Sequence, residues 1–298
     1  SVHGNARLKR IDTERIKSEL ENHKIVVVTG FQGINKYDVF TTLGRGGSDT
    51  TAVALAAALH ADACEIYTDV DGVYTADPRK VPTARKLKEI TYDEMLDLAT
   101  LGAGVLHNRS VEMAKKYGVP LVVRSSLNNS EGTVVKEEVT VERMLISGVA
   151  LDTDAVRIAV IGLKDIPGVA FKLFDVLAKK NINVDVILQS IGRAGTKDIS
   201  FTVDDKDLDE AMAVLDENKA RLGYQELHSE RNVAKLSIVG AGMMSNPGVA
   251  AQMFESLYNE GVNINMISTS EIRVTVLINE KDGVRAMNAV HDAFNLAD

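Results

Sequence analysis

Apolar runs and helical patterns alternate along the first 125 residues of the chain. Short, β-branched apolar runs predict strands over residues 24–30, 63–68 and 118–124. The spacing of apolar residues predicts helices over residues 50–59, 92–100 and 111–117. Strands that alternate with helices indicate a parallel sheet covered on both faces.

A change in composition follows this α/β region. Residues 125–133 are polar, and the segment from there to Glu142 is charged and rich in β-forming residues. We therefore expect a domain boundary near residue 140, with a first domain over residues 1–140.

The second half of the chain contains an internal repeat. Pro167–Ala170 recurs as Pro247–Ala250, and Asn183–Ile187 recurs as Asn263–Ile267, at an offset of 80 residues. Matches in one register over such a length indicate two copies of one structural unit.

In each copy, the sequence pattern predicts the order strand, Pro-Gly turn, helix, strand, strand, helix. In the first copy these elements are expected at residues 157–161, 168–180, 183–189, 198–203 and 208–217, with a last strand near 225–228. The βαββαβ order is the ferredoxin-like plan. The second copy ends with its second helix, near Phe294. We predict that residues 143–150 supply the missing strand of the second copy, so that the two copies are interlocked. The first domain of the pair, with this preceding strand, is expected over residues 143–234, and the second over residues 235–298.

Composition narrows the class of protein. The chain has 298 residues, 45% apolar and 26% charged, which excludes a disordered chain. Its net charge of −8 argues against a nucleic-acid groove or binding to an anionic membrane. No apolar run approaches the roughly 18 residues of a membrane span. The single cysteine, Cys64, closes no intramolecular disulfide, and a reducing cytoplasm fits.

The strongest chemical signal is the segment Gly44–Asp49, Gly-Arg-Gly-Gly-Ser-Asp, which leads into the alanine-rich helix. Glycines let the backbone approach an anion, and a helix N-terminus favours negative charge. Ser48 and Asp49 are good N-cap residues, and Arg45 suits a carboxylate. A plain glycine-rich turn before a capped helix is the alternative.

The segment Thr68–Arg79, Thr-Asp-Val-Asp-Gly-Val-Tyr-Thr-Ala-Asp-Pro-Arg, starts at a strand end, where α/β sheets bind ligands. Its acids do not fit an EF-hand, because a loop starting at Asp69 has Tyr74 at the glycine position and Lys80 at the glutamate position. Its aromatic, acidic and arginine residues suit a nucleotide, and turn chemistry is the alternative.

Two other patterns lead to no site. The glycines of Ile238–Ser245 resemble the start of a dinucleotide fingerprint, but Ser245 takes the third glycine position. The six histidines do not cluster, so we expect no metal site formed by protein side chains alone.

Together, Gly44–Thr51, Thr68–Arg79 and the doubled Pro-Gly repeat resemble aspartate kinases. The resemblance covers nearly all of the chain. It implies an α/β fold with an incomplete three-layer αβα amino-acid kinase domain, followed by two ferredoxin-like ACT domains.

The resemblance implies phosphorylation of the β-carboxylate of L-aspartate by ATP, with Mg²⁺ bridging the phosphates, at the start of lysine, threonine and methionine synthesis. Arg45 would hold the α-carboxylate of aspartate, and the catalytic residues Ser48 and Asp49 would line the transfer site. The nucleotide would be held by Thr68, Asp69, Tyr74 and Arg79, with Gly104 and Val105 on the adenine side.

The chain departs from the family pattern at its start. It has no Lys-Phe-Gly-Gly motif, whose lysine neutralises the transferring phosphate in the family. The N-terminus lacks an initiator methionine, and we expect it to be a cut end. This chain by itself is therefore expected to have little or no activity. In the segment His107–Ser110, Asn108 replaces the usual proline, so the next helix is expected to start differently.

The ACT half implies feedback inhibition by lysine, threonine or both, and a homodimer paired through ACT domains. One effector site would be formed by Asp165, Gly168, Ala170 and Gln189 with Asn263 and Ile264, and Ser270 and Glu271 would contribute to another. The alternative to a feedback-regulated kinase is a non-catalytic amino-acid-sensing chain. Retention of both kinase motifs favours the kinase.

Overall fold

The computed structural model describes residues 4, 6–102, 104–139, 145–191 and 195–297, with the side chain of residue 191 left out. The chain forms two compact units. The N-terminal unit contains Ser1–Gly148, Val239–Gly242 and Phe294–Asp298, and the C-terminal unit contains Val149–Ile238 and Met243–Ala293.

The N-terminal unit has four described helices and six described strands. The helices are α1 (Glu14–Glu21), α2 (Gly47–Leu59), α3 (Tyr92–Thr100) and α4 (Asn108–Tyr117). The strands are β1 (Gln32–Ile34), β2 (Phe40–Thr42), β3 (Cys64–Thr68), β4 (Glu89–Thr91), β5 (Leu121–Ser125) and β6 (Thr133–Lys136). β1 and β2 form a hairpin, and the other four strands form a sheet in the order β3-β5-β6-β4.

The sheet is mixed, so the prediction of an all-parallel sheet is wrong. β3 pairs with β5, and β4 with β6, in parallel, but β5 and β6 are antiparallel. β6 follows β5 through a short polar connection, which can only return the chain in the opposite direction. The three predicted helices are confirmed, and so are the strands at β3 and β5.

The strand predicted over residues 24–30 is not present. These residues have no regular secondary structure, and the side chains of Ile25 and Val27 are 96% and 93% exposed. Strand geometry and burial both need a neighbouring strand to pair the backbone, and the described residues provide none beside this segment. A run of β-branched residues is therefore not sufficient by itself to form a strand.

A buried carboxylate organises one end of the N-terminal unit. Glu94, in the first turn of α3, forms a capping box with Thr91 and is only 5% exposed. It also accepts hydrogen bonds from the Ser147 hydroxyl at 2.7 Å and the Ala241 N–H at 2.9 Å. Burial opposes its ionisation, but the hydrogen bonds from Ala241, Ser147 and Thr91 lower the pKa of Glu94 below its ordinary value.

The C-terminal unit confirms the ferredoxin-like repeats. Its strands are β7 (Gly148–Asp152), β8 (Ala155–Lys164), β9 (Asp185–Ile191), β10 (Thr196–Asp204), β11 (Glu226–Glu230), β12 (Val233–Val239), β13 (Met266–Thr269) and β14 (Arg273–Asn279). Its helices are α5 (Val169–Ala178), α6 (Leu208–Glu217), α7 (Lys219–Leu222), α8 (Val249–Asn259) and α9 (Gly283–Ala293). The two sheets have the orders β11-β8-β10-β9 and β13-β14-β12-β7.

The interlocking of the repeats is also confirmed. β7 precedes the first repeat in sequence, yet it joins β12 at the edge of the second sheet, where β11 joins β8 in the first. Residues 143 and 144 of the predicted segment lie outside the described residues, and the strand begins at Gly148. One strand before the first repeat thus completes the second.

Apolar packing holds each repeat together. In the first repeat, Phe201 of β10 is fully buried and meets the ring of Phe174 edge to face, with centroids 5.4 Å apart. Each large side chain buried in this way contributes about 1.5–3 kcal/mol to folding. Within the described residues, no helix is long and apolar enough to cross a lipid bilayer.

Candidate active site

The glycine-rich segment forms a tight turn between β2 and α2. Leu43, 2% exposed, anchors the segment in the core. Gly46 is the N-cap of α2, with φ of 68°. Ser48 and Asp49 therefore lie in the first turn of the helix, and the expectation that one of them caps it is wrong. They stay at the surface as neighbours, with the Ser48 hydroxyl 3.4 Å from the Asp49 carboxylate.

This turn has the physical properties of an anion site. The 13-residue helix α2 presents its N-terminal end there, and Arg45 is exposed immediately before it. The partial positive charge of a helix N-terminus and a guanidinium both favour a carboxylate or phosphate. The chemistry expected of Arg45, Ser48 and Asp49 thus has a structural basis, and their individual roles remain predictions.

The N-terminus of α4 packs directly against the turn. A Cβ atom built on Gly46 would lie 2.3 Å from side-chain atoms of His107, so the imidazole sits against the Gly46 backbone. Arg109 donates to the Leu43 carbonyl at 2.9 Å and to the Ala6 carbonyl at 3.1 Å. Two side chains from α4 thereby fix the turn that carries Arg45.

The surroundings of His107 favour the neutral form of its imidazole. Burial, together with the charges of Arg109 and Arg45, lowers the pKa of His107, and the Asp49 carboxylate opposes this only in part. Its Nδ1 accepts the Arg109 backbone N–H at 3.3 Å and caps α4. Asn108 is the first residue of α4, and the expected difference from the family in the start of this helix remains a prediction.

The second motif, Thr68–Arg79, is tied together by its own side chains. Tyr74 donates to Asp71 at 2.9 Å, and Lys86 lies 3.1 Å from the other oxygen of the same carboxylate. Arg79 binds Asp77 through two hydrogen bonds of 3.0 Å, although Arg79 itself is 88% exposed. These bonds explain the low pKa of Asp77.

Thr68 ends β3, beside the end of the parallel strand β5, and its hydroxyl donates to Asp69 at 3.1 Å. Thr68 and Asp69 therefore lie at the carboxyl ends of the parallel strands β3 and β5, the usual ligand position in α/β folds. Gly104 and Val105 lie in the connection that leads into His107 and thus towards the glycine-rich turn. Their contact with a nucleotide remains a prediction.

The predicted effector residues lie in the C-terminal unit and are exposed, except for Ala170 and Ile264, which are half-buried. Gly168 is the N-cap of α5, with Ala170 in its first turn, and Asp165 lies 2.9 Å from Lys197. Gln189 is exposed on β9, and β9 contacts β13. Asn263 and Ile264 lie just before β13, and Ser270 and Glu271 just after it. Their binding of an amino acid is untested.

The described side chains form no cluster that suggests a resident metal ion. Within the ranges that the structure describes, no group of three or more histidine, cysteine, aspartate or glutamate side chains is placed to hold one. Asp49 and Asp69 are accessible carboxylates. Such a donor set suits Mg²⁺ bound mainly through nucleotide phosphates.

Comparison with known proteins agrees with this architecture. Residues 2–125 match the amino acid kinase family, and residues 158–218 and 236–294 match the ACT domain. The fold and site thus define an amino acid kinase domain joined to ACT domains. Among curated proteins, an aspartokinase of Bacillus sp. strain MGA3 is 54% identical over 99% of this chain and 72% of its own length. The chain belongs to the aspartokinase family.

Solved structures support the same assignment. Escherichia coli aspartokinase III in complex with aspartate and ADP superposes with a TM-score of 0.81 at 30% identity, over 94% of this chain and 63% of that one. The same enzyme in complex with lysine and aspartate gives 0.77 at 31% identity, over 96% of this chain and 63% of that one. This chain therefore spans less than two thirds of the solved protein.

His107 and Arg109 are the site residues that sequence reasoning missed. In the sequence, His107 is one of six scattered histidines, and no local pattern links it to the glycine-rich segment. The contact arises only when α4 packs on α2. The glycine at position 46 is the sequence feature that points to this contact, because a glycine indicates that another group approaches the backbone closely. It does not indicate which residue that group belongs to.

Proposed function

We propose that this protein acts as an aspartate kinase, transferring the γ-phosphoryl group of ATP to the β-carboxylate of L-aspartate. One observation carries the proposal: exposed Arg45 and partly exposed Asp49 flank the N-terminus of α2, in a turn fixed by α4. Support also comes from Escherichia coli aspartokinase III, whose structure contains aspartate and ADP.

The reaction needs positioning more than proton transfer. A carboxylate oxygen attacks the γ-phosphorus, the bond to the bridging oxygen breaks, and ADP leaves. The nucleophile is already ionised, so no general base is required. Mg²⁺ bound to the phosphates would spread the charge of the transferring group. Arg45 would bind the α-carboxylate of aspartate, and the N-terminus of α2 would face the developing negative charge.

The other assigned residues complete the site in this proposal. Ser48 and Asp49 line the transfer region, and Asp49 orients the phosphate-binding groups. The nucleotide lies against the carboxyl ends of β3 and β5. It is held by Thr68, Asp69, Tyr74, Arg79, Gly104 and Val105. We also propose that this chain alone has little or no activity, because it contains no Lys-Phe-Gly-Gly motif to neutralise the phosphate.

Replacement of Arg45 by methionine tests the substrate assignment. A charged hydrogen-bonded pair contributes roughly 1.5–3 kcal/mol, so we expect R45M to weaken L-aspartate binding by about 10- to 150-fold. The measurement is calorimetric titration of L-aspartate in the presence of ADP and Mg²⁺. R221M is the control, since Arg221 is half exposed and lies in the C-terminal unit. Equal affinity in R45M and the wild type would contradict the assignment.

The paired repeats favour a regulatory function in addition. Both sheets are complete, and the Escherichia coli enzyme has been solved with lysine. We propose that lysine, threonine or both bind at Asp165, Gly168, Ala170 and Gln189 with Asn263 and Ile264, and that Ser270 and Glu271 contribute to a second site. The family also favours a cytoplasmic homodimer paired through ACT domains.

Titration of L-lysine and L-threonine, separately and together, tests this regulatory site. We expect saturable heat with at least one of them. If an effector binds while L-aspartate with ADP and Mg²⁺ does not, the chain is the amino-acid sensor that the sequence left as the alternative. If neither effector binds to the folded protein, the feedback proposal is wrong.

A further inference from the structure

Strand β9 contains a bulge at its start. Against β10, Asp185 pairs with Thr202 but Leu188 pairs with Ser200, so Val186 and Ile187 both stand opposite Phe201. Two residues opposite one is a β-bulge. Val186 has φ of 40°, a conformation that is strained for a β-branched side chain.

The bulge directs two consecutive side chains to the second repeat. Val186 packs in a cluster with Val233, Met266 and Leu277, and the Asp185 carboxylate lies 2.9 Å from the Lys235 ammonium. In a regular strand, successive side chains point to opposite faces, so both contacts could not form together. The strained conformation is thus tied to contacts with the second repeat.

Lys235 of β12 stabilises the bulged start of β9 through an ion pair with Asp185. Its side chain is 7% exposed and lies 2.9 Å from Asp185 of β9 and 2.9 Å from Asp152 of β7. Burial disfavours the charged forms, yet the two carboxylates raise the pKa of Lys235, and the ammonium lowers that of Asp185. The Lys235 ammonium and the Asp185 carboxylate therefore stabilise each other in their charged forms.

Downstream of the bulge, residues 187–190 of β9 are exposed, so besides the pairing with β10 the register of this strand depends on its contacts with β13. It is an edge strand, with β10 as its neighbour in the sheet, and Ile187 and Leu188 are 54% and 41% exposed. A slip of one residue moves every side chain of a strand to the opposite face. Gln189 lies just beyond this point.

We propose that β9 is a register switch that the second repeat holds through the Asp185–Lys235 ion pair. With the pair formed, the bulge persists and Gln189 stands opposite Ile199 of β10. With the pair broken, the strain at Val186 is released, β9 pairs regularly with β10, and Gln189 turns to the other face. The second repeat thereby controls a residue of the first.

Two truncations of carboxylates on the same ammonium test the switch. D185A removes the partner on β9, whereas D152A removes the partner on β7 and leaves β9 attached. By NMR, we expect D185A to replace the cross-strand contact between Ser200 and Leu188 by one between Ser200 and Ile187. Amide exchange over residues 186–190 should rise at least 10-fold relative to β8. In D152A, the pairing of Ser200 with Leu188 should be unchanged, and amide exchange over residues 186–190 should rise less than 3-fold.

Two results would overturn the switch. One is retention of the Ser200–Leu188 contact in D185A with unchanged exchange in β9. The other is an equal response of β9 to D152A, which would indicate general loosening of the unit. Both variants keep Lys235 paired with one carboxylate, so each retains a charged partner in the core.

The consequence for effector binding rests on the proposed role of Gln189. We expect D185A to weaken binding of whichever of L-lysine and L-threonine the wild type binds by at least 5-fold, and D152A to change it by less than 2-fold. Unchanged affinity in D185A would overturn control of the effector site. If the wild type binds neither amino acid, the proposed effector site is wrong. The NMR comparison of D185A with D152A then still tests the register switch.

Discussion

Replacement of Glu94 by alanine is expected to destabilise the N-terminal unit by about 3–5 kcal/mol, because it leaves several buried donors without an acceptor at once. Glu94 is 5% exposed and accepts hydrogen bonds from Thr91, Ser147 and Ala241. Urea unfolding followed by circular dichroism measures the loss. D93A on the same helix is the control, because Asp93 forms an exposed ion pair with Lys115 that contributes at most about 1 kcal/mol.

The same carboxylate predicts a dependence on pH. The hydrogen bonds lower the pKa of Glu94 in the folded state, so its contribution is complete above the pKa of the unfolded chain. The contribution is lost as pH falls through the lowered, folded pKa. Unfolding free energy should therefore fall less steeply with acid in E94A than in the wild type. Parallel slopes in the two proteins would contradict this account.

Replacement of Gly46 by alanine is expected to destabilise the N-terminal unit by about 2–5 kcal/mol. Its φ of 68° costs an alanine about 1–2 kcal/mol, and the contact of 2.3 Å with His107 adds about 1–3 kcal/mol of overpacking. The turn that carries Arg45 must shift, so binding of L-aspartate should weaken as well. Urea unfolding and calorimetry measure the two effects.

Gly118 provides a matched control for this contact. It has φ of 63°, and nothing lies within 4 Å of a Cβ atom built on it. G118A is therefore destabilised only by the unfavourable backbone conformation and not by a steric clash. The cost of G46A should be about 1–3 kcal/mol smaller in an H107A background than in the wild type, since the obstructing ring is absent there. Equal losses in G46A and G118A would mean that the imidazole does not fix the turn.

Several features of the fold could be predicted because their causes are local or repeated. The Pro-Gly repeat at an offset of 80 residues identified two ferredoxin-like units, and the orphan segment before the first repeat indicated the strand that completes the second. The helices α2, α3 and α4 followed from apolar spacing. The glycine-rich segment and the strand end at Thr68 marked the candidate site, since both depend on local backbone chemistry.

Other features depend on neighbours that are distant in sequence. The run over residues 24–30 has the composition of a buried strand, yet its burial requires a paired neighbour that composition does not specify. The direction of β6 was set by the return of the chain after β5. The N-cap of α2 is Gly46 rather than Ser48 or Asp49, and the imidazole of His107 leaves no room for a side chain at position 46.

The sequence by itself determined the repeats, most elements and the residues able to bind anions, because periodicity and backbone propensity act over a few residues. Only the tertiary structure decided that His107 and Arg109 support the glycine-rich turn and that Lys235 joins Asp152 to Asp185. Those contacts depend on packing between segments far apart in the chain. Their energies come from burial and ion pairing that exist only in the folded state.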